Sequence, residues 1–230
     1  MDPDRPVTAS SSDRGAVVLA PKKNRRQRFS RVANAAATIE GFDQDTDITF
    51  ALTLGQFSLL DLIEATLDIT GPADVVIATW SVGFYDLAAA ERFRDLGKLR
   101  SCRFVMDSSA KRGQATGADV ASVFGADAIR TTRTHAKFAL IENDAWHVVI
   151  QSSMNLNLNE RSEQFSMTDC AQTAQFVRTI VDELWCELPA GPTSDRTTPK
   201  LPGMAAVEPR FGFEVAPASV VTMGVNRGAD

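Results

Sequence analysis

Between residues 46 and 188 the apolar positions alternate between two spacings, one of period two and one near 3.6. Ile48–Leu54 is rich in β-formers and reads as a strand. Ser58–Asp68 carries Leu59, Leu60, Ile63 and Leu67 at helical spacing, with Ser58 as N-cap and Gly71-Pro72 as the stop. Asp74–Trp80 is nearly continuously apolar, the pattern of a strand covered on both faces. Tyr85–Leu96 reads as a second helix and Cys102–Asp107 as a strand, followed by a polar loop, Ser108–Thr116, and a short helix, Gly117–Phe124. Ala128–Arg133 leads into a further strand, His135–Ile141, whose hairpin partner is Trp146–Gln151. Ala171–Leu188 is the last helix, with Phe176, Ile180 and Leu184 on one side. This order, strands and helices in alternation and then a hairpin and a helix, predicts an α/β sandwich with a mixed central sheet.

The flanks differ. Residues 1–45 form an expected flexible N-terminal segment, Ser-, Asp-, Pro- and Ala-rich at first and then strongly basic, with six Lys or Arg in residues 21–31. That arm reads equally as a nucleic-acid contact and as a solvated segment pairing with Glu40, Asp43, Asp45 and Asp47. Residues 189–230 hold six of the ten prolines and read as a tail, within which Phe211–Val215 could dock as one strand.

Composition narrows the function. The chain has 230 residues, 44% of them hydrophobic, enough for one sizeable domain. At a net charge of -5, any polyanion must be held by a local patch. Cys102, Cys170 and Cys186 are odd in number and widely spaced, which suits buried thiols in a reducing compartment. Two histidines and no cysteine cluster argue against a zinc site. The first residues lack an apolar leader and no run of about 18 apolar residues occurs, so a cytoplasmic protein without a membrane span is expected.

The chemistry gathers between Thr134 and Phe165. Read as a strand, His135–Ile141 puts His135, Lys137, Ala139 and Ile141 on one face, so an imidazole and an ammonium project together, an arrangement suited to a phosphate. Beyond the hairpin come Ser152, Ser153 and Asn155, then Asn157, Arg161 and Glu163. His135-x-Lys137, then Ser153-x-Asn155, then an Asn-rich run ending in Glu163, resembles the signature of the phospholipase D superfamily, with Ser152 in place of the usual glycine. The motif's aspartate position holds Glu142, with Asp144 two residues on; either could take that role, or it could be absent.

The resemblance implies a phospholipase D-like α/β sandwich and a metal-independent phosphodiesterase that needs no cofactor. In that family one histidine attacks phosphorus, and a second histidine, from a second motif, protonates the leaving oxygen and activates water. His135, Lys137, Ser153, Asn155 and Glu163 are the implied catalytic set, with Ser152, Arg133 and Asn157 toward substrate. His147 is not followed by a lysine two positions on, and the motif occurs once. A homodimer that brings two copies of His135 together is therefore expected. Lys111, Arg112, Arg130, Arg133 and the basic arm favour DNA or RNA as substrate. The alternative is a catalytically degenerate member that survives as a nucleic-acid-binding or assembly module.

Overall fold

The computed structural model describes residues 16–19, 28–30, 34–44, 48–109, 115–157 and 161–193. Among these residues nine strands form one mixed sheet: β1 (Ala16–Leu19), β2 (Arg28–Ser30), β3 (Thr49–Thr53), β4 (Ala73–Thr79), β5 (Leu99–Asp107), β6 (Ile129–Thr132), β7 (Phe138–Glu142), β8 (His147–Ser152) and β9 (Glu163–Asp169). Their order across the sheet is β2-β1-β3-β9-β8-β7-β4-β5-β6. β4, β5 and β6 are parallel, while β7 runs antiparallel to both of its neighbours, β4 and β8. The helices are α1 (Ala35–Thr38), α2 (Leu59–Thr70), α3 (Phe84–Asp95), α4 (Gly117–Phe124) and α5 (Ala171–Glu187). The expected α/β sandwich with a mixed central sheet is the observed architecture.

Both faces of the sheet are covered where the parallel strands lie, so β4 is buried along Val75–Thr79 with no polar alternation. On one face Ala51, Phe165, Ile150, Ala139, Ile77 and Phe104 meet Leu59, Leu62 and Ile63 of α2 and Phe93 of α3 in the main core. On the other, Val76, Leu140 and Val149 meet Ala174 and Val181 of α5.

α2 begins where Ser58 predicts. The Ser58 hydroxyl accepts from Asp61 N at 3.3 Å, and the Asp61 carboxylate accepts from Ser58 N at 2.7 Å, a reciprocal capping box. Ser58→Ala is expected to lower stability by about 1 kcal/mol, read from a chemical-denaturation midpoint.

Four readings change. β9 is a strand that the sequence reading lacks: its seven residues alternate, with Phe165 and Met167 buried and Glu163, Gln164, Ser166 and Thr168 less so. It inserts between β8 and β3. The His135 strand starts at Phe138, because only from there do both neighbours pair with it, although Ser152 N still donates to Lys137 O at 3.0 Å. The buried stripe of α5 is Ala174, Val181 and Leu184, and Phe176 is 68% exposed on a neighbouring stripe. Two short strands, β1 and β2, extend the sheet edge beyond β3 within a segment read as flexible or extended. Phe211–Val215 and the rest of the chain after residue 193 lie outside the described residues.

Candidate functional site

The antiparallel insertion of β7 decides which side chains meet. Its amino end, carrying His135 and Lys137, lies beside the carboxyl ends of β4, β5 and β8. This is the sheet edge where ligands gather in open α/β folds. His135 is exposed and Lys137 half-buried. Lys137 Nζ donates to His135 O at 2.9 Å and lies 3.3 Å from Nδ1 and 3.4 Å from Nε2 of the imidazole. A point nearly equidistant from both ring nitrogens is off either lone-pair axis, so the backbone carbonyl anchors the ammonium and the ring lies alongside it.

The second half of the motif arrives from β8. Ser152 Oγ donates to Gln164 O at 3.0 Å and accepts from Met154 N at 2.9 Å, so its hydroxyl closes the turn beneath the site. Ser153 Oγ donates to the Glu163 carboxylate and accepts from Gln164 N at 2.9 Å, tying the start of β9 to the end of β8. Asn155 Oδ1 accepts from Trp80 N at 3.2 Å, and Asn157 Oδ1 accepts from Ser81 Oγ at 3.4 Å. The Asn155–Asn157 segment is thereby fastened to the chain leaving β4. Gly83 completes that fastening: its N–H donates to Leu156 O at 2.6 Å, and a Cβ there would sit 2.7 Å from Asp86 Oδ2.

Trp80, which sequence reasoning takes as the last residue of a strand, touches both halves. Its ring centroid is 5.3 Å from that of His135, and its Nε1 donates to Ser109 Oγ at 3.2 Å. Asp107 ends β5 and accepts from Ser109 N at 2.8 Å and Thr134 N at 3.0 Å. Burial pushes the Asp107 carboxyl up, but the hydrogen bonds from Ser109, Thr134 and Trp80 outweigh it and hold it below the ordinary aspartate range. The signal for both residues was their position at the ends of parallel strands. A cavity of about 230 Å³ opens beside them, lined by Trp80, Ser81, Asp107, Ser109, Thr116 and Thr131 among others.

Several expected residues lie elsewhere. Glu142 is at the far end of β7, the five-residue length of the strand and more away from His135, which precedes Phe138. There it accepts from Arg178 of α5 and contacts His147 Nδ1 at 3.1 Å. Asp144 is at that end too, 3.6 Å from Arg100. His147 is thus at the opposite edge from His135, held by the hairpin register that pairs it with Glu142. Arg130 is buried, stacked at 4.8 Å on Trp185 and donating to Asp127 O and Ile129 O, so it faces α5 and not a phosphate. Arg133 is exposed and makes no ion pair among the described residues. Lys111 and Arg112 lie outside the described residues.

A larger cavity, about 590 Å³, opens at the Glu142 edge, but its Arg100, Arg103 and Arg178 each pair with an acid, Asp144, Asp182 and Glu142. Burial pushes the Glu142 carboxyl up, yet Arg178 and then His147 outweigh it and hold it below the ordinary glutamate range. A carboxyl depressed in the folded state contributes stability above its unfolded pKa, and that contribution is lost as pH falls through the folded value. Arg178→Ala is therefore expected to cost on the order of 1.5–3 kcal/mol at neutral pH, with the gap to wild type narrowing in acid; urea titrations at both pH values check this.

Among the described residues no three His, Cys, Asp or Glu side chains gather where they could hold a metal ion, and no helix is long and apolar enough to cross a membrane. No protein-family model matches the chain, and no curated protein matches it in sequence. Solved structures are similar at low identity. NucT from Helicobacter pylori is 15% identical at a TM-score of 0.45, over 63% of this chain and 99% of that one. Polyphosphate kinase from Porphyromonas gingivalis is 15% identical at a TM-score of 0.45, over 60% of this chain and 26% of that one. Phosphatidylserine synthase from Haemophilus influenzae is 12% identical at a TM-score of 0.40, over 65% of this chain and 42% of that one. The chain thus spans less than half the length of the last two.

Proposed function

We propose that the chain is a metal-independent phosphodiesterase of the phospholipase D kind, acting on nucleic acid as a homodimer. The reading rests on one observation. His135, Lys137, Ser153, Asn155 and Glu163 span 29 residues of sequence yet end at one edge of the sheet, linked through Trp80 and through the β7–β8–β9 ladder. In the proposed reaction a His135 nitrogen attacks phosphorus and the leaving oxygen departs with a proton from the His135 of a second copy. Water then attacks the phosphohistidine and returns a proton to that second imidazole. Lys137 and Asn155 hold the non-bridging oxygens, where the transition state's negative charge spreads. Glu163, through Ser153, fixes the loop that presents Asn155. In this reading the second histidine comes from outside the protomer; His147 is bound to Glu142 at the opposite edge.

Nucleic acid is favoured over a smaller diester by the rim. Arg133 is exposed two residues before His135, and Phe84 and Tyr85, 57% and 78% exposed, start α3 four residues after Trp80. Exposed aromatics are stacking surfaces for unpaired bases, and these two open the helix that follows Trp80 in sequence. The test is incubation of labelled single- and double-stranded oligonucleotides with the protein in EDTA, with sedimentation velocity alongside. Cleavage by a dimer supports the reading. Binding without cleavage would instead favour a degenerate binding module, and a strictly monomeric active species would remove the shared site.

A further inference from the structure

We infer that Asp107, Ser109 and Trp80 form a positioning relay that fixes the orientation of the His135 imidazole from two sides. The inference rests on the reading above for its kinetic consequence, but its geometry stands independently of that reading. The two oxygens of one carboxylate at the end of β5 act in different directions. Oδ2 accepts from Thr134 N at 3.0 Å and so holds the backbone one residue before His135. Oδ1 accepts from the N–H of Ser109 at 2.8 Å and from its hydroxyl. That hydroxyl in turn accepts from the Trp80 indole N–H at 3.2 Å. Trp80 is also held through its main chain, whose N–H donates to Asn155 Oδ1 at 3.2 Å. The imidazole lies against this fixed ring at a centroid distance of 5.3 Å and an interplanar angle of 52°. On another side Lys137 Nζ lies within 3.4 Å of both ring nitrogens.

The need for such a device follows from where the histidine sits. His135 is exposed and precedes the first residue of β7, so the sheet ladder does not set its rotamer. An exposed side chain on an irregular segment samples several staggered rotamers, and only some of them aim a ring nitrogen along the line of attack. A carboxylate that fixes the approaching backbone and, through a serine, the aromatic surface under the ring removes that freedom before substrate arrives. Trp80, Ser109 and Asp107 are therefore positioning residues. None of the three is proposed to touch the phosphate.

The chain contains two histidines, so histidine proton NMR reads the claim directly on the intact protein, with His135→Ala assigning the resonances. In Trp80→Leu the His135 ring protons should lose the indole's ring-current displacement while those of His147 stay in place. Ser109→Ala and Trp80→Phe, each of which removes the link from the indole N–H to Asp107, should move the same resonances by a smaller amount. In cleavage assays Trp80→Leu should lower kcat by about 10- to 100-fold with KM within about two-fold, and Ser109→Ala and Trp80→Phe should lower kcat by a smaller factor. His135 resonances that do not respond to Trp80→Leu, or that respond to it but to neither Ser109→Ala nor Trp80→Phe, in folded variants would overturn the relay. If the wild type cleaves nothing, the phosphodiesterase reading fails, while the resonance shifts still support or overturn the relay.

Discussion

His135→Ala should reduce oligonucleotide cleavage by on the order of 10⁴-fold or more while leaving the fold intact. The two halves of that expectation have separate grounds. The activity loss follows from a proposed nucleophile that nothing nearby can replace: Lys137 is engaged by the His135 carbonyl, and His147 is held at the far edge by Glu142. The retained stability follows from exposure. His135 contributes nothing to either core, its partners being one aromatic contact with Trp80 and the Lys137 ammonium, and removal of such a side chain is usually within about 0.5 kcal/mol. Kinetics and a thermal melt on the same preparation check both halves. A variant that is inactive because it is unfolded would show a lowered melting temperature; His135→Ala is expected to melt with the wild type.

The largest stability effect is expected from Phe165→Ala, about 3–5 kcal/mol. Phe165 is 1% exposed, packs edge-on against Phe57 at 6.2 Å, and lies in β9 opposite Ser152 on one side and Ala51 on the other. Truncating it opens a cavity between β9 and the segment leading into α2, and the rigid sheet around it can collapse only partly. The effect should reach the site as well. Glu163 is two residues away on the same strand and fastens Ser153. A looser β9 would let the Asn155 loop drift, so residual folded protein should cleave more slowly. Denaturant midpoints give the stability change, and cleavage at a temperature where the variant is still folded gives the second.

The sequence pattern was most informative where burial is two-sided or where a cap is chemical. The continuous apolar run of β4 and the Ser58 cap of α2 both stand close to where they were expected. It was least informative where a choice is made by neighbours far away in sequence. β9 reads as a weak alternation until β3 and β8 are beside it. The start of β7 depends on where β4 ends, which His135-x-Lys137 alone does not reveal. Phe176 and Ala174 are both plausible inward positions on α5 until the sheet selects one stripe. The motif residues converge on one edge, while the acid position separates from them, because the five residues of β7 carry Glu142 to the other end of the sheet. Trp80 and Asp107 belong to no motif; only the parallel pairing of β4 and β5 brings their ends together beside His135.

The proposed reaction passes through a covalent phosphohistidine on His135, which is acid-sensitive and base-stable and can therefore be trapped. Wild-type protein would be mixed with an oligonucleotide labelled at the scissile phosphate in EDTA, quenched with alkali, digested and mapped. Label is expected on the peptide containing His135, lost on acid treatment and absent from His135→Ala. Rapid cleavage with no label on the protein, or label on a peptide lacking His135, would contradict it.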